Sequence, residues 1–310
     1  MRWKGRRQSR NIEDRRGQGG GFAIRMPRIP GLGRGRRGPG LRLPIGRKGG
    51  VGGLIMVAVV VGLYMWMGGD LGSLLGGGMP LQDGPAPQVS RPGAQPADEQ
   101  AQFVAVVLAD TEDTWHQIFQ KGGSRYQEPG LVLFTDQVRS ACGAAQSAMG
   151  PFYCPGDRKI YIDLGFYDEL RRRFGAPGDF AQAYVIAHEV GHHVQTLLGI
   201  NKQVREAQSG ASKRDQNALQ VRMELQADCF AGLWAFHADR TRQLLEQGDL
   251  AEALRAASAI GDDAIQKKAT GRVVPDAFTH GSSEQRMRWF RRGFEKGDVG
   301  ACDTFKAARL

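Results

Sequence analysis

Two histidines four residues apart carry the clearest chemical signal in this 310-residue chain. His188 and His192 lie in the stretch VIAHEVGHHVQ, with Glu189 directly after the first of them. Positions i and i+4 share one face of a helix, so both imidazoles can point at one zinc ion. Glu189 can then reach a metal-bound water as a general base without ligating the metal. His193 points elsewhere on the helix, and we expect it at the surface or behind the ligands.

A catalytic zinc site needs a third protein ligand, and a second helical stretch offers one. Glu224 follows His192 by 32 residues in VRMELQADCFAG, and Asp228 lies four residues further along on the same face. Their neighbours are apolar, and buried carboxylates need positive partners. The spacing predicts Glu224 as the third ligand of a single zinc ion and Asp228 as the acceptor for a ligand imidazole N–H. The alternative is a surface carboxylate pair on an amphipathic helix.

A third stretch, THGSSEQRMRWF, places His280 six residues before Arg286. An imidazole donor and a guanidinium near the zinc could stabilise the oxyanion that forms when water attacks a carbonyl. We therefore predict both as catalytic residues. The alternative is a loop histidine followed by a charge on a helix surface.

The elements that must position these residues follow an α+β pattern. Apolar periodicity predicts a long helix ending at Gly122, one strand at the start of GLVLFTDQVRSACG, another in RKIYIDLGFY, and only helices afterwards. The histidine-bearing helix begins with Asp179 as its N-cap, and the carboxylate-bearing helix covers residues 215–238. Ser282 and Gln285 form a capping box at the start of the last helix. The sheet is small, and no βαβ alternation occurs.

The N-terminal part has a different composition from the rest. Fifteen Lys and Arg against two acids give residues 1–48 a net charge of +13, which leaves −3 of the total of +10 for the remainder. Such a tail can bind nucleic acid. It is followed, however, by residues 49–69, which carry no charge and suffice to cross about 30 Å of hydrocarbon as a helix. We therefore predict a disordered tail that sets membrane topology, and nucleic acid as an unlikely partner.

This arrangement predicts a single-pass protein of the bacterial inner membrane. The positive-inside rule keeps the tail in the cytoplasm and places the C-terminal body in the periplasm or outside the cell. A cleaved signal peptide fits poorly, because the basic region is too long and no A-x-A-like site follows. Residues 70–97 read as a Gly/Pro-rich linker, and residues 98–310 form the folded domain.

Four cysteines in a domain outside the cytoplasm favour two disulfides. Without a C-x-x-C pair, the alternative of cysteine zinc ligands is weak. Three pairings are possible, and we predict Cys142–Cys154, which closes a local loop containing Gly and Pro, together with Cys229–Cys302. A buried free thiol at Cys229 is the competing interpretation.

The four stretches AHEVGHHVQ, RMELQADCFAG, SAMGPFYCPGDRKIYIDL and HGSSEQRMRWF together resemble the YpfJ-type neutral zinc metallopeptidases of bacteria. The resemblance covers nearly all of residues 98–310 and the preceding tail and apolar segment. More distantly, the chain is similar to the CAAX-protease and HtpX class of gluzincins, which pair H-E-x-x-H with E-x-x-x-D and often end with a histidine followed six residues later by an arginine. The resemblance implies a mostly helical, zincin-like zinc peptidase that acts on peptides or proteins. Because those gluzincins surround the site with several spans and this chain offers one, substrates inside the bilayer do not follow.

The combined expectation is a membrane-anchored zinc metallopeptidase that holds one Zn²⁺ per chain. The alternative is a non-catalytic, zinc-stabilised binding or scaffold protein of the cell envelope. Glu189 separates the two hypotheses, because a structural zinc site has no use for a general base.

Overall fold

One short strand and one long helix precede the other strands, and only helical elements follow them, in a computed structural model that describes residues 1–17 and 98–310. The strands are β1 (Ile12–Asp14), β2 (Gly130–Phe134), β3 (Gln137–Ser140), β4 (Gly143–Gln146), β5 (Phe152–Cys154) and β6 (Lys159–Asp163). The helices are α1 (Glu99–Lys121), α2 (Gly165–Arg172), α3 (Asp179–Leu197), α4 (Ile200–Gln208), α5 (Lys213–Arg242), α6 (Asp249–Ala259), α7 (Asp262–Thr270) and α8 (Ser283–Lys296). This order confirms the predicted α+β class with a small sheet.

The main sheet has the strand order β1-β2-β6-β5. β1, β2 and β6 run parallel, whereas β5 is antiparallel to β6 and lies at one edge. Strands β3 and β4 form a separate antiparallel hairpin. Alternate residues of β2 and β6, such as Leu131 and Ile160, join the main core, while Val132 and Tyr161 join a smaller cluster on the opposite face. The sheet is therefore covered on both faces, which suits parallel strands.

Helices α3, α5 and α8 pack closely because glycines lie where they cross. A Cβ atom on Gly191 of α3 would lie 3.0 Å from the Cα of Ala227 on α5. A Cβ atom on Gly293 of α8 would lie 1.9 Å from the carbonyl oxygen of Cys229 on α5. Larger residues would push the backbones apart, and the functional side chains carried by the three helices would then separate.

Residues 1–17 belong to the folded body and correct one prediction. Strand β1 pairs with β2, and the ammonium group of Met1 forms an ion pair with Asp179 at 2.9 Å. The buried carboxylate of Glu112 accepts hydrogen bonds from Arg7 and Ser9. The predicted disordered tail, residues 1–48, is thus wrong for its first 17 residues, because β1 joins the sheet and Arg7 pairs with the buried Glu112. Residues 18–48 lie outside the described part of the chain.

The predicted anchor, residues 49–69, and the linker, residues 70–97, also lie outside the described residues. Within the described ranges, no helix has the length and apolar character that a membrane crossing requires. Arg16 and Asp98, on either side of the undescribed stretch, form an ion pair at 2.7 Å. A single crossing between them would place them on opposite membrane faces. The ion pair argues against the predicted topology, with residues 1–17 inside and the body outside, but that topology stays a prediction because residues 49–69 lie outside the described residues.

Other local expectations can be compared directly with the structure. Helix α1 ends before Gly122, and Ser282 with Gln285 forms the predicted capping box of α8. Asp179 is not the N-cap of α3, because Gly178 occupies that position and the Asp179 carboxylate binds the Met1 ammonium instead. Both predicted disulfides, which are named in the sequence analysis, are confirmed.

Of the two predicted positions of His193, at the surface or behind the ligands, the surface position is wrong, because His193 is fully buried. Its Nε2–H donates to the carbonyl of Gln127 at 2.6 Å, and Tyr153 Oη donates to its Nδ1 at 3.1 Å. Burial lowers the pKa of His193 to about 4, which keeps the ring neutral. His193 thus joins α3 to the segment before β2 and to the edge strand β5.

Candidate metal centre

Helix α3 presents two imidazoles side by side. His188 and His192 have ring centroids 4.8 Å apart and planes at 88°. Their four-residue spacing puts them on one helix face, as the sequence predicts. Around them α3 is buried by apolar residues, so the polar groups need partners within the protein.

Helix α5 brings Glu224 to the same point. Its Oε2 atom lies 3.2 Å from His188 Nε2 and 3.4 Å from His192 Nε2. In a tetrahedral zinc site with bonds of about 2.1 Å, neighbouring ligand atoms are separated by about 3.4 Å. The three ligand atoms all lie within 4.8 Å of one another. Donor types and spacing therefore both fit zinc, and these are the three residues that the sequence predicts as ligands.

Asp228 binds the His188 ring on the side that faces away from the predicted metal position. His188 Nδ1–H donates to Asp228 Oδ1 at 2.8 Å, which leaves Nε2 directed at the metal position. Tyr184 Oη donates to the same oxygen at 2.5 Å. Arg286 closes the carboxylate with two hydrogen bonds, from Nε to Oδ2 at 2.9 Å and from Nη2 to Oδ1 at 3.0 Å. Asp228 is thus fully buried and fully paired.

The centre favours positive charge. Burial alone would lower the pKa of His188, but the charge of Asp228 and the hydrogen bonds that the ring donates to Asp228 and Glu224 raise the pKa to about 10. Burial alone would likewise raise the pKa of Glu224, yet the charge of His192 and hydrogen bonds from both imidazoles hold the pKa well below its ordinary value. The metal-free centre therefore holds protons where a divalent cation would replace them.

Glu189 lies at this centre without acting as one of its three grouped ligands. Its side chain is buried and lines a cleft of about 620 Å³ together with both histidines and Glu224. Burial raises the pKa of Glu189, and the charges of His192 and His188 oppose that rise. A carboxylate with a raised pKa facing a cleft is suited to accept and return a proton.

The two residues predicted to stabilise an oxyanion differ in position. His280 lines the cleft, with Nδ1 3.3 Å from Asp262 Oδ1. The hydrogen bond that the His280 ring donates to Asp262 raises the pKa of His280, and burial opposes the rise. Arg286 is 2% exposed, and its bonds go to Asp228, Tyr184 and the carbonyl of Ile260. Arg286 also lines the cleft, and these hydrogen bonds hold Asp228, while its predicted catalytic role stays a prediction.

Several partners of the centre do not follow from the sequence analysis. Gln195 accepts from His192 Nδ1–H at 2.9 Å, and Gln220 donates to Glu224 Oε1 at 2.8 Å. Asp262 accepts three backbone N–H groups from residues 279–281 and so holds the loop that carries His280. The spacing of Gln195, three residues after His192, is the signal that could have revealed it.

A second acidic group in the described ranges is already neutralised. Asp179, Asp249 and Glu252 lie close enough together to hold a cation. The Met1 ammonium group lies 2.9 Å from Asp179 and 3.4 Å from Asp249. The Met1 ammonium group therefore already neutralises these carboxylates in part, and the histidine centre is the stronger candidate for a metal site.

Comparison with known proteins agrees with this geometry. Residues 1–305 match the model of a family described as "Putative neutral zinc metallopeptidase". "Uncharacterized protein YpfJ" of Escherichia coli (strain K12) is 53% identical over 305 residues, covering 98% of this chain and 99% of that protein. "Uncharacterized protein Rv2575" of Mycobacterium tuberculosis (strain ATCC 25618 / H37Rv) is 46% identical over 195 residues, covering 60% of this chain and 65% of that protein. No solved structure matches the chain.

Proposed function

This chain belongs to the family of putative neutral zinc metallopeptidases, and from that premise we propose that it hydrolyses peptide bonds at the His188–His192–Glu224 centre. One observation carries the proposal. Three ligand atoms have the spacing of a tetrahedral zinc site, and the buried carboxylate of Glu189 faces the same cleft.

The roles follow from the contacts. Zinc, when bound through these three residues, supplies a Lewis acid that polarises the scissile carbonyl and activates water. Glu189 takes the proton from the attacking water and passes it to the leaving amine, because its raised pKa suits both directions of transfer. Asp228 and Arg286 act behind the ligands, where they hold His188 in the orientation that exposes Nε2.

His280 is the residue that we assign to oxyanion stabilisation. It lies on the cleft wall, and the raised pKa of His280 favours a protonated imidazole. A cationic N–H donor beside the reacting carbonyl stabilises the negative charge that develops on its oxygen. Asp262 acts as the positioning residue, because it binds both the ring and the backbone of this loop.

The cleft suits a peptide chain. β5 is an edge strand of the main sheet, and its residues Phe152 and Tyr153 line the cleft. An extended substrate can pair its main chain with such an edge while its side chains contact the apolar wall. Met149, 70% exposed at the cleft, adds a flexible apolar contact. Unfolded protein segments are therefore the substrate class that we propose.

The cellular location is also a proposal. Two disulfides favour an oxidising compartment, such as the periplasm. Attachment through residues 49–69 stays a prediction from composition. Because residues 1–17 fold with the body, attachment would have to leave both ends of the undescribed stretch on the same side of the membrane.

The test compares Glu189→Gln with the wild type in the full-length chain, because residues 1–17 are part of the fold. A fluorogenic library of unstructured peptides measures hydrolysis, and elemental analysis measures zinc. The variant should retain zinc and lose roughly 10²–10⁴-fold of the hydrolysis rate. Glu169→Gln is the matched control, since Glu169 lines the same cleft but is half exposed on α2. Full activity in Glu189→Gln, or a wild type that binds zinc without cleaving any peptide, would leave the non-catalytic alternative.

A further inference from the structure

The side-chain amides of two glutamines orient His192, the second predicted zinc ligand, whereas a carboxylate orients His188. His192 Nδ1 lies 2.9 Å from Gln195 Oε1, and the Gln195 amide nitrogen donates to the Met223 carbonyl at 2.7 Å. The same nitrogen donates to Gln226 Oε1 at 3.1 Å, and the Gln226 nitrogen donates to the Cys302 carbonyl at 3.1 Å. Both glutamines are buried, and so their amides have no competing water.

These hydrogen bonds have only one satisfactory direction. A backbone carbonyl can only accept, so the Cys302 carbonyl requires the NH₂ group of Gln226, and the Met223 carbonyl requires that of Gln195. Rotating either amide by 180° would set two carbonyl oxygens against each other in a buried site. The Oε1 atom of Gln195 must therefore face His192 and accept its Nδ1–H. When the ring is neutral, the lone pair of His192 is therefore on Nε2, on the side of Glu224.

We propose that Gln195 and Gln226 are positioning residues that hold His192 as its Nδ1–H tautomer, through an amide relay that ends on the disulfide-anchored carbonyl of Cys302. The relay deepens the proposed function, since it rests on His192 as a zinc ligand. A tautomer fixed before the metal arrives spares zinc the cost of moving a proton away from Nε2.

The Cys229–Cys302 disulfide belongs to the relay because it holds the terminal acceptor. Cys302 ends the short helical segment Val299–Cys302 and is bonded to Cys229 on α5, the helix that also carries Gln226. The hydroxyl of Thr304 adds a hydrogen bond to the Arg222 carbonyl at 2.7 Å. Loss of the disulfide removes the covalent part of this attachment and leaves the hydrogen bonds. Zinc affinity should consequently be higher in the oxidised protein.

The first measurement is the zinc dissociation constant of the full-length protein, by competition with a chromophoric chelator. Gln195→Met, which keeps the side-chain size and removes the acceptor, should weaken zinc binding roughly 10–100-fold. Gln226→Met should weaken it less. In the Gln195→Met background it should add nothing, because the two residues act in series. Gln216→Met is the control, since Gln216 also donates to two backbone carbonyls from α5 but not to the metal centre.

The second measurement reads the tautomer without any zinc. Nitrogen-15 spectra of metal-free protein labelled at its six histidines, recorded at a pH high enough to make the His192 ring neutral, should show His192 protonated at Nδ1 in the wild type and a tautomer mixture in Gln195→Met. Unchanged zinc affinity in Gln195→Met, or additive losses in the double variant, would overturn the relay. A protein that passes both measurements but cleaves no peptide would instead refute the proposed peptidase activity.

The last experiment compares how the two disulfides affect zinc affinity. Replacing Cys229 and Cys302 with Ser should weaken zinc binding several-fold, while the same change at Cys142 and Cys154 should leave the affinity unaltered. The Cys142–Cys154 disulfide instead joins the turn between β3 and β4 to strand β5. Equal effects of the two double variants would mean that general destabilisation, and not the relay, lowers the affinity.

Discussion

Replacing Asp228 with Asn should both destabilise the protein and weaken zinc binding. Asp228 is 0% exposed and neutralises Arg286, which is 2% exposed, through two hydrogen bonds. An Asn side chain has the same shape but would place an N–H donor against the guanidinium. Two charge-assisted hydrogen bonds contribute roughly 1.5–3 kcal/mol each, and leaving one buried charge unpaired costs about 3–5 kcal/mol. We therefore expect the free energy of unfolding to fall by about 3–5 kcal/mol.

The effect on zinc is separable from the effect on stability. Asp228 also accepts the Nδ1–H of His188, so its loss should weaken zinc binding roughly 10–100-fold. Asp110 provides a matched control, because Arg242 binds it through Nε at 2.6 Å and Nη2 at 2.7 Å, away from the metal centre. Asp110→Asn should destabilise the protein comparably and leave the zinc affinity unchanged.

The assay is denaturant unfolding of the metal-free, full-length protein with its disulfides intact, paired with a zinc competition titration. Adding Arg286→Met to Asp228→Asn removes the unpaired charge, so the double variant should be less destabilised than the sum of the single variants by roughly 0.5–3 kcal/mol. Strictly additive losses, or an Asp228→Asn protein as stable as the wild type, would refute the account of a buried ion pair behind the ligand.

Three further outcomes test other parts of the structure. Deleting residues 1–17 should lower the free energy of unfolding, because β1 leaves the sheet and Glu112 loses its hydrogen bonds from Arg7 and Ser9; equal stability of the two proteins would contradict this packing. A carbodiimide should cross-link Lys4 to Glu99, which form an ion pair at 2.7 Å, in intact membranes as well as in purified protein; a link confined to purified protein would separate the N-terminus from the body in the cell. The pKa of His280 is raised, so its ion pair with Asp262 contributes its full stability below the unfolded pKa of about 6.5. That contribution is lost as the pH rises through the folded pKa, and unfolding measured from pH 5 to 9 should show the loss in the wild type. An equal loss of stability in His280→Gln would argue against the pair.

The sequence by itself was sufficient to predict the residues of the candidate metal centre. His188, His192 and Glu224 could be predicted because helix periodicity converts a spacing of four residues into a shared face, and because buried carboxylates among apolar residues demand a cation. The same local rules predicted the main helices, the capping box of α8 and the short-range disulfide between Cys142 and Cys154. All of these depend on residues that are near one another in the chain or on a pattern repeated within one element.

Only the tertiary structure decided which distant groups meet. Arg286 reads as a catalytic cation in the sequence, yet packing of α8 against α5 pairs it with Asp228 behind the ligand. The basic N-terminus reads as a disordered tail, because composition does not show that Arg7 meets the buried Glu112 or that β1 joins the sheet. Gln195 is likewise an ordinary polar helix residue until Met223 and the C-terminal segment orient it. The physical reason is the same in these cases. The role of a buried charge or amide depends on the group to which it is hydrogen-bonded, and that group lies far away in the chain.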